Sequence, residues 1–376
     1  CVQAFMAYTY YILPGLTDTQ KKKFLDGINP SVSDGLDESF HKDFSKSVTH
    51  ALRKRAVEVS PRPLVTYQGS PEKKSPPVFG TKSIIQSEEI LKDLQFFNQT
   101  GGLKLYQDFS ELSRLLLVGT SDRLKWLDAV ASVGYRDPSS NPPVYGGTIH
   151  FLQEPGGKLR SIASPLRLHQ EALRPLGEEL YGIVKSLPWD CSFDQNKAIP
   201  HIQSHLKTGG QISSIDLSSA TDHFPLSLQI TALKAIFDEK DWNHIALFER
   251  ISRSEWRSPL GILQWTKGQP LGLYPSFAAF TLTHGLLLWH LNDCQFDNHF
   301  FVVGDDVVIL SDKLRDRYLS MLDRMGCPYS LDKSLTSSKL SEFAGKLITE
   351  NEVIPQLKWR SISNDNFLDI AQIGRA

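Results

Sequence analysis

Two adjacent acidic residues lie inside an apolar run, Phe300-Phe301-Val302-Val303-Gly304-Asp305-Asp306-Val307-Val308-Ile309-Leu310. The β-branched and aromatic residues on both sides predict two short strands, and Gly304 permits the tight turn that would join them. Two carboxylates in apolar surroundings repel each other and are costly to bury without a partner. The run therefore predicts a hairpin whose tip either holds a divalent cation through Asp305 and Asp306 or is simply solvated.

A third acidic residue, Asp216, ends another apolar strand, predicted over residues 211–217. With Asp305 and Asp306 it would complete a three-carboxylate site, and hard oxygen ligands select Mg²⁺ or Mn²⁺. Two Mg²⁺ ions could clamp the attacking and leaving oxygens of a phosphoryl displacement. We expect Asp305 with Asp216 to be the metal pair, because adjacent residues on a hairpin point in different directions. The alternative for Asp216 is a cap on the following helix.

Lys158 and Arg160 follow a glycine turn at Gly156-Gly157. They are two positions apart, so their side chains would point to the same face of an extended segment. Lys158 and Arg160 on one face suit a triphosphate, because they would neutralise the charge of the leaving pyrophosphate. The alternative is a solvent-facing strand edge, where Lys and Arg are common.

Further polar candidates surround these groups. Asp222 lies six residues beyond Asp216 and could accept a hydrogen bond from a sugar hydroxyl. The loop before helix 276–291 contains Gly272, whose backbone can approach a ligand closely, and Ser276 offers a hydroxyl where the helix begins. The alternative is a plain helix entry that Ser276 caps.

Composition limits the class of protein. The chain has 376 residues, 40% hydrophobic and 22% charged, which is typical of soluble globular proteins with more than one lobe. The net charge is −1, so no global basic field indicates nucleic acid. Residues 51–82 carry seven Lys or Arg against two Glu, interleaved with prolines, and form either a basic strap for a phosphate backbone or a solvated linker.

Four widely separated cysteines argue against structural zinc and a disulfide framework, and indicate reduced thiols in an intracellular compartment. His201 and His205 have helical spacing but lack the Glu of a metalloprotease helix, so we interpret them as surface residues. The most apolar stretch, 276–291, is too short and too polar for a membrane span.

Residue patterns predict strands at 145–153 and 211–217, and helices at 103–117, 122–133, 166–186, 226–237, 242–251, 276–291 and 314–325.

The order of these segments resembles the ordered motifs of viral RNA-dependent RNA polymerases. The spellings DLSSATD (216–222), GQPLGLYPSFAAFTLTHG (268–285) and VVGDDVVIL (302–310) are similar to the narnavirus, mitovirus, levivirus and ourmia-like lineage of positive-strand RNA viruses. The match covers about residues 150–350.

This resemblance implies an α+β right-hand polymerase fold, with fingers and a palm built from an antiparallel sheet plus helices, and a short or missing thumb. Residues 1–150 would be an N-terminal region that forms part of the fingers, and 151–210 the fingers with the nucleotide-binding motif. Residues 211–350 would be the palm, and 351–376 the start of a thumb or a truncated tail. The implied activity is template-directed RNA synthesis that replicates a viral genome.

The resemblance also assigns roles to individual residues. Two Mg²⁺ ions, with Mn²⁺ as a substitute, would be bound by Asp216, Asp305 and Asp306. The ribose 2′-hydroxyl would be sensed by Asp222 with Gly272 and Ser276. The triphosphate would be bound by Lys158 and Arg160, and the leaving pyrophosphate would be protonated by Lys333. The substrates would be ribonucleoside triphosphates, an RNA template and the nascent RNA strand, in the cytoplasm or mitochondrion of a host. The sequence departs from the pattern of many polymerases at Phe280, where an Asn is common, and at His223, where a basic residue is common.

A second hypothesis is an inactive, endogenised viral remnant that folds or binds RNA without synthesis. A start at Cys1 and the short tail favour it. Intact acids at 216, 305 and 306 argue against it, because decay would not preferentially spare all of them.

Overall fold

The computed structural model describes residues 12–30, 34–58, 99–100, 145–154, 156–331 and 334–355. The helices in these ranges are α1 (Asp18–Ile28), α2 (Glu38–Ala51), α3 (Arg167–Ser186), α4 (Ile199–Lys207), α5 (Ala220–His223), α6 (Leu226–Ile236), α7 (Trp242–Ser252), α8 (Ser276–Leu291) and α9 (Asp312–Met325). The strands are β1 (Gly147–Glu154), β2 (Lys158–Pro165), β3 (Ile212–Asp216), β4 (Trp256–Ser258), β5 (Gly261–Leu263), β6 (Phe300–Val303), β7 (Asp306–Ile309), β8 (Leu335–Ser337), β9 (Leu340–Phe343), β10 (Lys346–Thr349) and β11 (Val353–Pro355).

The predicted elements that fall in these ranges are confirmed, with each end within two residues of its prediction. The predicted helices 103–117 and 122–133, and most of the basic segment 51–82, lie outside the described residues. Periodicity was informative here because the helices have one apolar face, and the strands are short apolar runs bounded by polar turns.

The acidic hairpin forms the edge of an antiparallel sheet whose described strands follow the order β6, β7, β3, β8. Its strands are apolar along most of their length because side chains on both faces are buried, Phe300 and Ile309 on one face and Phe301 and Val308 on the other. The register pairs Ile215 with Val307. This sheet therefore brings the ends of β3 and β7 side by side, although about 90 residues separate them in sequence.

Helix α8 is the centre of the helical layer. Most of its residues are buried, and it contacts α2, α3, α6, α9 and β6. A helix that is apolar all round needs neighbours on every side, which explains its position in the core. No helix among the residues described here is long and apolar enough to cross a membrane.

A second sheet, in the order β2, β1, β4, β5, carries the glycine turn as a β1–β2 hairpin in which Glu154 pairs with Lys158. A capping box at Thr17 and Gln20 begins α1. The Gln20 side chain also donates a hydrogen bond to the Gly157 carbonyl at 2.8 Å. Helix α1 thereby joins the N-terminal segment to this hairpin.

Candidate active site

The acidic turn brings two of the predicted acids into register. Gly304 has a φ of +60°, which is the left-handed conformation that favours glycine. Beyond the turn, Asp306 pairs with Asp216 of the neighbouring strand. Directly opposed residues of an antiparallel pair point to the same face of the sheet. The register therefore places Asp306, and not Asp305, opposite Asp216.

The acids of this site act on one another electrostatically. The pKa of the Asp306 carboxyl is raised to about 7, first by burial and then by the negative charges of Asp305, Glu342 and Asp216. Asp305 is exposed at its position in the turn, yet desolvation by the surrounding protein raises the pKa of its carboxyl, and so does Asp216. Lys158 and Arg160 oppose that rise. Acids and cations from separate segments thus belong to one electrostatic group.

The donor chemistry of this group fits a hard divalent cation, because carboxylate oxygens are the ligands that Mg²⁺ and Mn²⁺ bind. Neighbouring carboxylates raise one another's pKa because they repel, and a bound cation would stabilise their ionised forms. In the part of the chain that the structure describes, however, no three His, Cys, Asp or Glu side chains are gathered as ready metal ligands. Metal ligation by Asp216, Asp305 and Asp306 therefore stays a prediction.

Asp216 does not cap a helix. Ser219 is the residue before α5, and no side-chain hydrogen bond caps that helix. The Asp216 backbone is instead held by the loop before β8, since its carbonyl accepts from Ser330 N at 2.9 Å. The alternative interpretation as a helix cap is wrong. The next residue of interest in that loop, Lys333, lies outside the described residues.

The two predicted phosphate-binding cations lie on β2, an edge strand, and both are exposed. Arg160 makes a two-point contact with Glu154 across the hairpin, with Nε to Oε1 at 2.8 Å and Nη2 to Oε2 at 3.2 Å. Sequence reasoning did not single out Glu154, although an acid just before a glycine turn is a usable signal for a cross-strand partner. The Arg160 guanidinium is thus held in place while part of its surface remains accessible.

The predicted ribose-sensing acid is enclosed. Asp222 is 9% exposed, and its Oδ1 accepts a hydrogen bond from Trp265 Nε1 at 2.8 Å. Burial raises the pKa of Asp222 to about 6, and the Trp265 bond opposes that rise. Helix α1 covers the other oxygen, because a Cβ on Gly27 would lie 3.7 Å from Oδ2. Trp265 was missed by sequence reasoning, since nothing in its neighbours links it to residue 222.

The loop before α8 is bound tightly to its surroundings. Gly272 has a φ of +138°, and a Cβ there would lie 2.0 Å from the Ala163 carbonyl oxygen of β2. Gln170 holds the same loop from both sides: its amide donates to the Gly272 carbonyl at 3.0 Å, and its Oε1 accepts from Tyr274 N at 3.0 Å. The close approach predicted for Gly272 is therefore made to the protein's own backbone.

Ser276 begins α8 but does not cap it, because Pro275 is the residue before the helix and no side-chain cap bond is present there. Its hydroxyl is buried and donates to the Pro270 carbonyl at 3.1 Å. The alternative that Ser276 is a helix cap is wrong. A direct contact of this hydroxyl with a nucleotide would require the Pro270 bond to open.

Phe280 occupies the place where many polymerases carry an Asn. It is buried and packs against Phe224, with ring centroids 5.2 Å apart. His223 is half-buried, and its carbonyl accepts from Cys327 Sγ. His201 and His205 are half-buried rather than fully on the surface: His201 stacks on Phe301, and His205 bonds the Gln211 carbonyl.

The sequence is similar to known proteins over most of its length. The sequence profile of the family described as mitovirus RNA-dependent RNA polymerase matches residues 64–370. An RNA-directed RNA polymerase of Cryphonectria parasitica mitovirus 1 is 31% identical over 211 residues, which cover 54% of this chain and 26% of that protein. An uncharacterized mitochondrial protein of Arabidopsis thaliana is 27% identical over 193 residues, which cover 46% of this chain and 90% of that protein.

The fold is similar to that of a solved viral polymerase. The crystal structure of an insertion-loop deletion mutant of the RNA-dependent RNA polymerase of a human picobirnavirus matches with a TM-score of 0.54 and 14% identity. The match covers 93% of this chain and 67% of that one. The predicted α+β polymerase fold is confirmed. Because the family profile spans most of the chain, the chain belongs to the mitovirus RNA-dependent RNA polymerase family.

Proposed function

We propose that this chain carries out template-directed RNA synthesis, joining ribonucleoside triphosphates on an RNA template. The observation that carries the proposal is the strand register that places Asp306 opposite Asp216, next to Asp305 and within electrostatic reach of Lys158 and Arg160. Carboxylates within electrostatic reach of two cations suit a substrate that carries both a metal-bound phosphate and further negative charge. The chain spans 26% of the length of its viral relative, so the activity of that whole protein is not assumed.

In the proposed reaction the 3′-hydroxyl of the nascent strand loses its proton and attacks the α-phosphate. The bond from that phosphorus to the oxygen that bridges the α- and β-phosphates breaks, and pyrophosphate leaves. Bound Mg²⁺ would supply charge neutralisation at the attacking and leaving oxygens. Asp216, Asp305 and Asp306 would hold it. Most of the rate enhancement would then come from positioning and electrostatics, because the protein forms no covalent intermediate.

The remaining residues would orient the substrate and complete proton transfer. Lys158 and Arg160 would bind the β- and γ-phosphates, with Arg160 shared between that anion and Glu154. Lys333 would donate a proton to the pyrophosphate as it leaves. Asp222 would take part in ribose selection from the position in which Trp265 holds it.

Primer extension on an RNA template with NTPs and Mg²⁺ tests the proposal. We expect Asp305→Asn to reduce the rate roughly 100-fold or more, the size of effect seen when one preorganised electrostatic group is removed. Asp297→Asn is the matched control, because it removes an exposed carboxylate from the loop before β6, at a backbone φ of +42° that an Asn also tolerates. Equal extension by the Asp305 variant and the parent would show that the site is misassigned.

A non-synthesising remnant is the second candidate, and the Arabidopsis relative favours it, since the match covers 90% of that mitochondrial protein. We infer a mitochondrial location for this chain in either case from its mitochondrial relative in Arabidopsis thaliana. RNA binding that weakens steeply with salt, together with no Mg²⁺-dependent synthesis by the folded parent, would support the remnant. Incorporation of labelled UTP by the parent would exclude it.

A further inference from the structure

Both backbone groups of Gly304, the glycine of the acidic turn, are held by helix α8. The Gly304 N–H donates to Thr281 Oγ1 at 2.7 Å. The Gly304 carbonyl accepts from His284 Nδ1 at 2.8 Å. Thr281 and His284 are three residues apart, which places them one above the other on the same helix face. The turn is therefore attached to the core of the protein at the residue directly before Asp305.

The chemistry of this contact defines the form of the histidine. A carbonyl oxygen can only accept, so the proton lies on His284 Nδ1. The neutral ring then has a free lone pair on Nε2, which accepts from the Tyr318 hydroxyl of α9 at 2.6 Å. His284 and Tyr318 are both fully buried. Two helices and the turn are thus joined by a continuous series of hydrogen bonds, with no added charge beside the acids.

The acidic turn needs such support for a physical reason. Asp305 and Asp306 repel each other and Asp216, and this repulsion acts to displace the turn. Gly304 itself has the left-handed conformation, and a glycine loses more conformational freedom on ordering than any other residue. A buried clamp on its N–H and carbonyl opposes both effects. Functional side chains must be held within about 0.5 Å of their productive geometry.

We propose that Thr281, His284 and Tyr318 form a positioning clamp that holds the acidic turn in its catalytic geometry. The inference rests on the proposed function, in which Asp305 and Asp306 act in RNA synthesis. All three clamp residues are buried and act through the turn, so they are positioning residues. The clamp acts on the rate of the chemical step and leaves nucleotide binding to the cations of the β1–β2 hairpin.

The chain offers a matched pair of threonines for the test. Thr281 and Thr283 are both buried on α8, but the Thr283 hydroxyl donates to Ala279 O of its own helix at 2.7 Å. Thr281→Val and Thr283→Val each remove one hydroxyl from the same helix and keep a side chain of similar shape. Only the first removes a bond to Gly304.

We expect Thr281→Val to lower kcat about 10-fold at an unchanged KM for NTP, since small displacements of reacting groups are costly. Hydrogen exchange of the Gly304 amide should accelerate about 10-fold, because that N–H loses its partner. Thr283→Val should leave kcat and this exchange rate at the parent values, and Thr281→Ser should restore both. Tyr318→Phe, which keeps the ring and removes the donor to His284, should also lower kcat at an unchanged KM.

Equal changes in kcat and exchange for Thr281→Val and Thr283→Val would overturn the clamp, as would a rise in KM with kcat unchanged. If Thr281→Val does not fold, Tyr318→Phe with parent kcat overturns it, and a lowered kcat at unchanged KM supports it. The exchange measurement separates this inference from the proposed function. If the parent makes no RNA but Thr281→Val still accelerates exchange of the Gly304 amide, the proposed function is wrong and the clamp remains as a structural contact.

Discussion

The buried carboxyl of Asp222 gives a pH-dependent stability that one substitution should remove. Burial raises its pKa from the usual value near 3.8 to about 6. Between these two values the folded protein binds a proton that the unfolded chain has released. Because the folded state binds more protons in this window, the contribution of Asp222 to stability falls as pH rises from about 4 to about 6, and is constant above it.

The magnitude follows from the size of the shift. A difference of about two pKa units corresponds to ~3 kcal/mol of stability lost above pH 6 relative to a group that stays neutral. Asn at position 222 stays neutral at every pH and keeps an oxygen that can accept from Trp265 Nε1. The free energy of unfolding of Asp222→Asn, relative to the parent, should therefore rise by ~3 kcal/mol between pH 4 and pH 7.

Urea unfolding of both proteins at a series of pH values measures this difference. Subtracting the parent curve cancels the titration of all other groups, and Asp297→Asn reports the effect of removing a carboxylate from an exposed site. The difference between Asp222→Asn and the parent should depend on pH below about 6 and be level above it. A difference that is the same at pH 4 and at pH 7 would refute the argument that Asp222 is desolvated.

Two further predictions concern the surroundings of the site. Gly272→Ala should lower the free energy of unfolding by on the order of 2 kcal/mol or more, because a Cβ would lie 2.0 Å from a β2 carbonyl oxygen. Gly209→Ala, also at positive φ but with open space around it, should cost only about 1 kcal/mol in the same urea titration. Trp265→Phe removes the donor that holds Asp222 and should reduce the selectivity for NTP over dNTP in single-nucleotide incorporation, with the ring volume largely kept. Unchanged selectivity would show that the Trp265 bond to Asp222 takes no part in ribose recognition.

Local patterns determined much of this protein. The apolar run around residues 304–306 encodes a hairpin locally, because glycine permits the turn and β-branched residues favour strands. Helix 276–291 could be predicted to its terminal residues, since a mostly apolar stretch of that length is recognisable without its neighbours. The ordered motifs also identified the polymerase family, because their order along the chain is itself a property of the sequence.

The tertiary structure decided which groups meet. The register of β3 against β7 placed Asp306, not Asp305, opposite Asp216. Trp265 reaches Asp222 across 43 positions, and His284 reaches Tyr318 across 34. Such contacts depend on how helices and sheets pack, and no local periodicity encodes a partner that far along the chain. The sequence by itself determined the acidic hairpin and its family, whereas only packing decided what holds the turn and encloses the second acid.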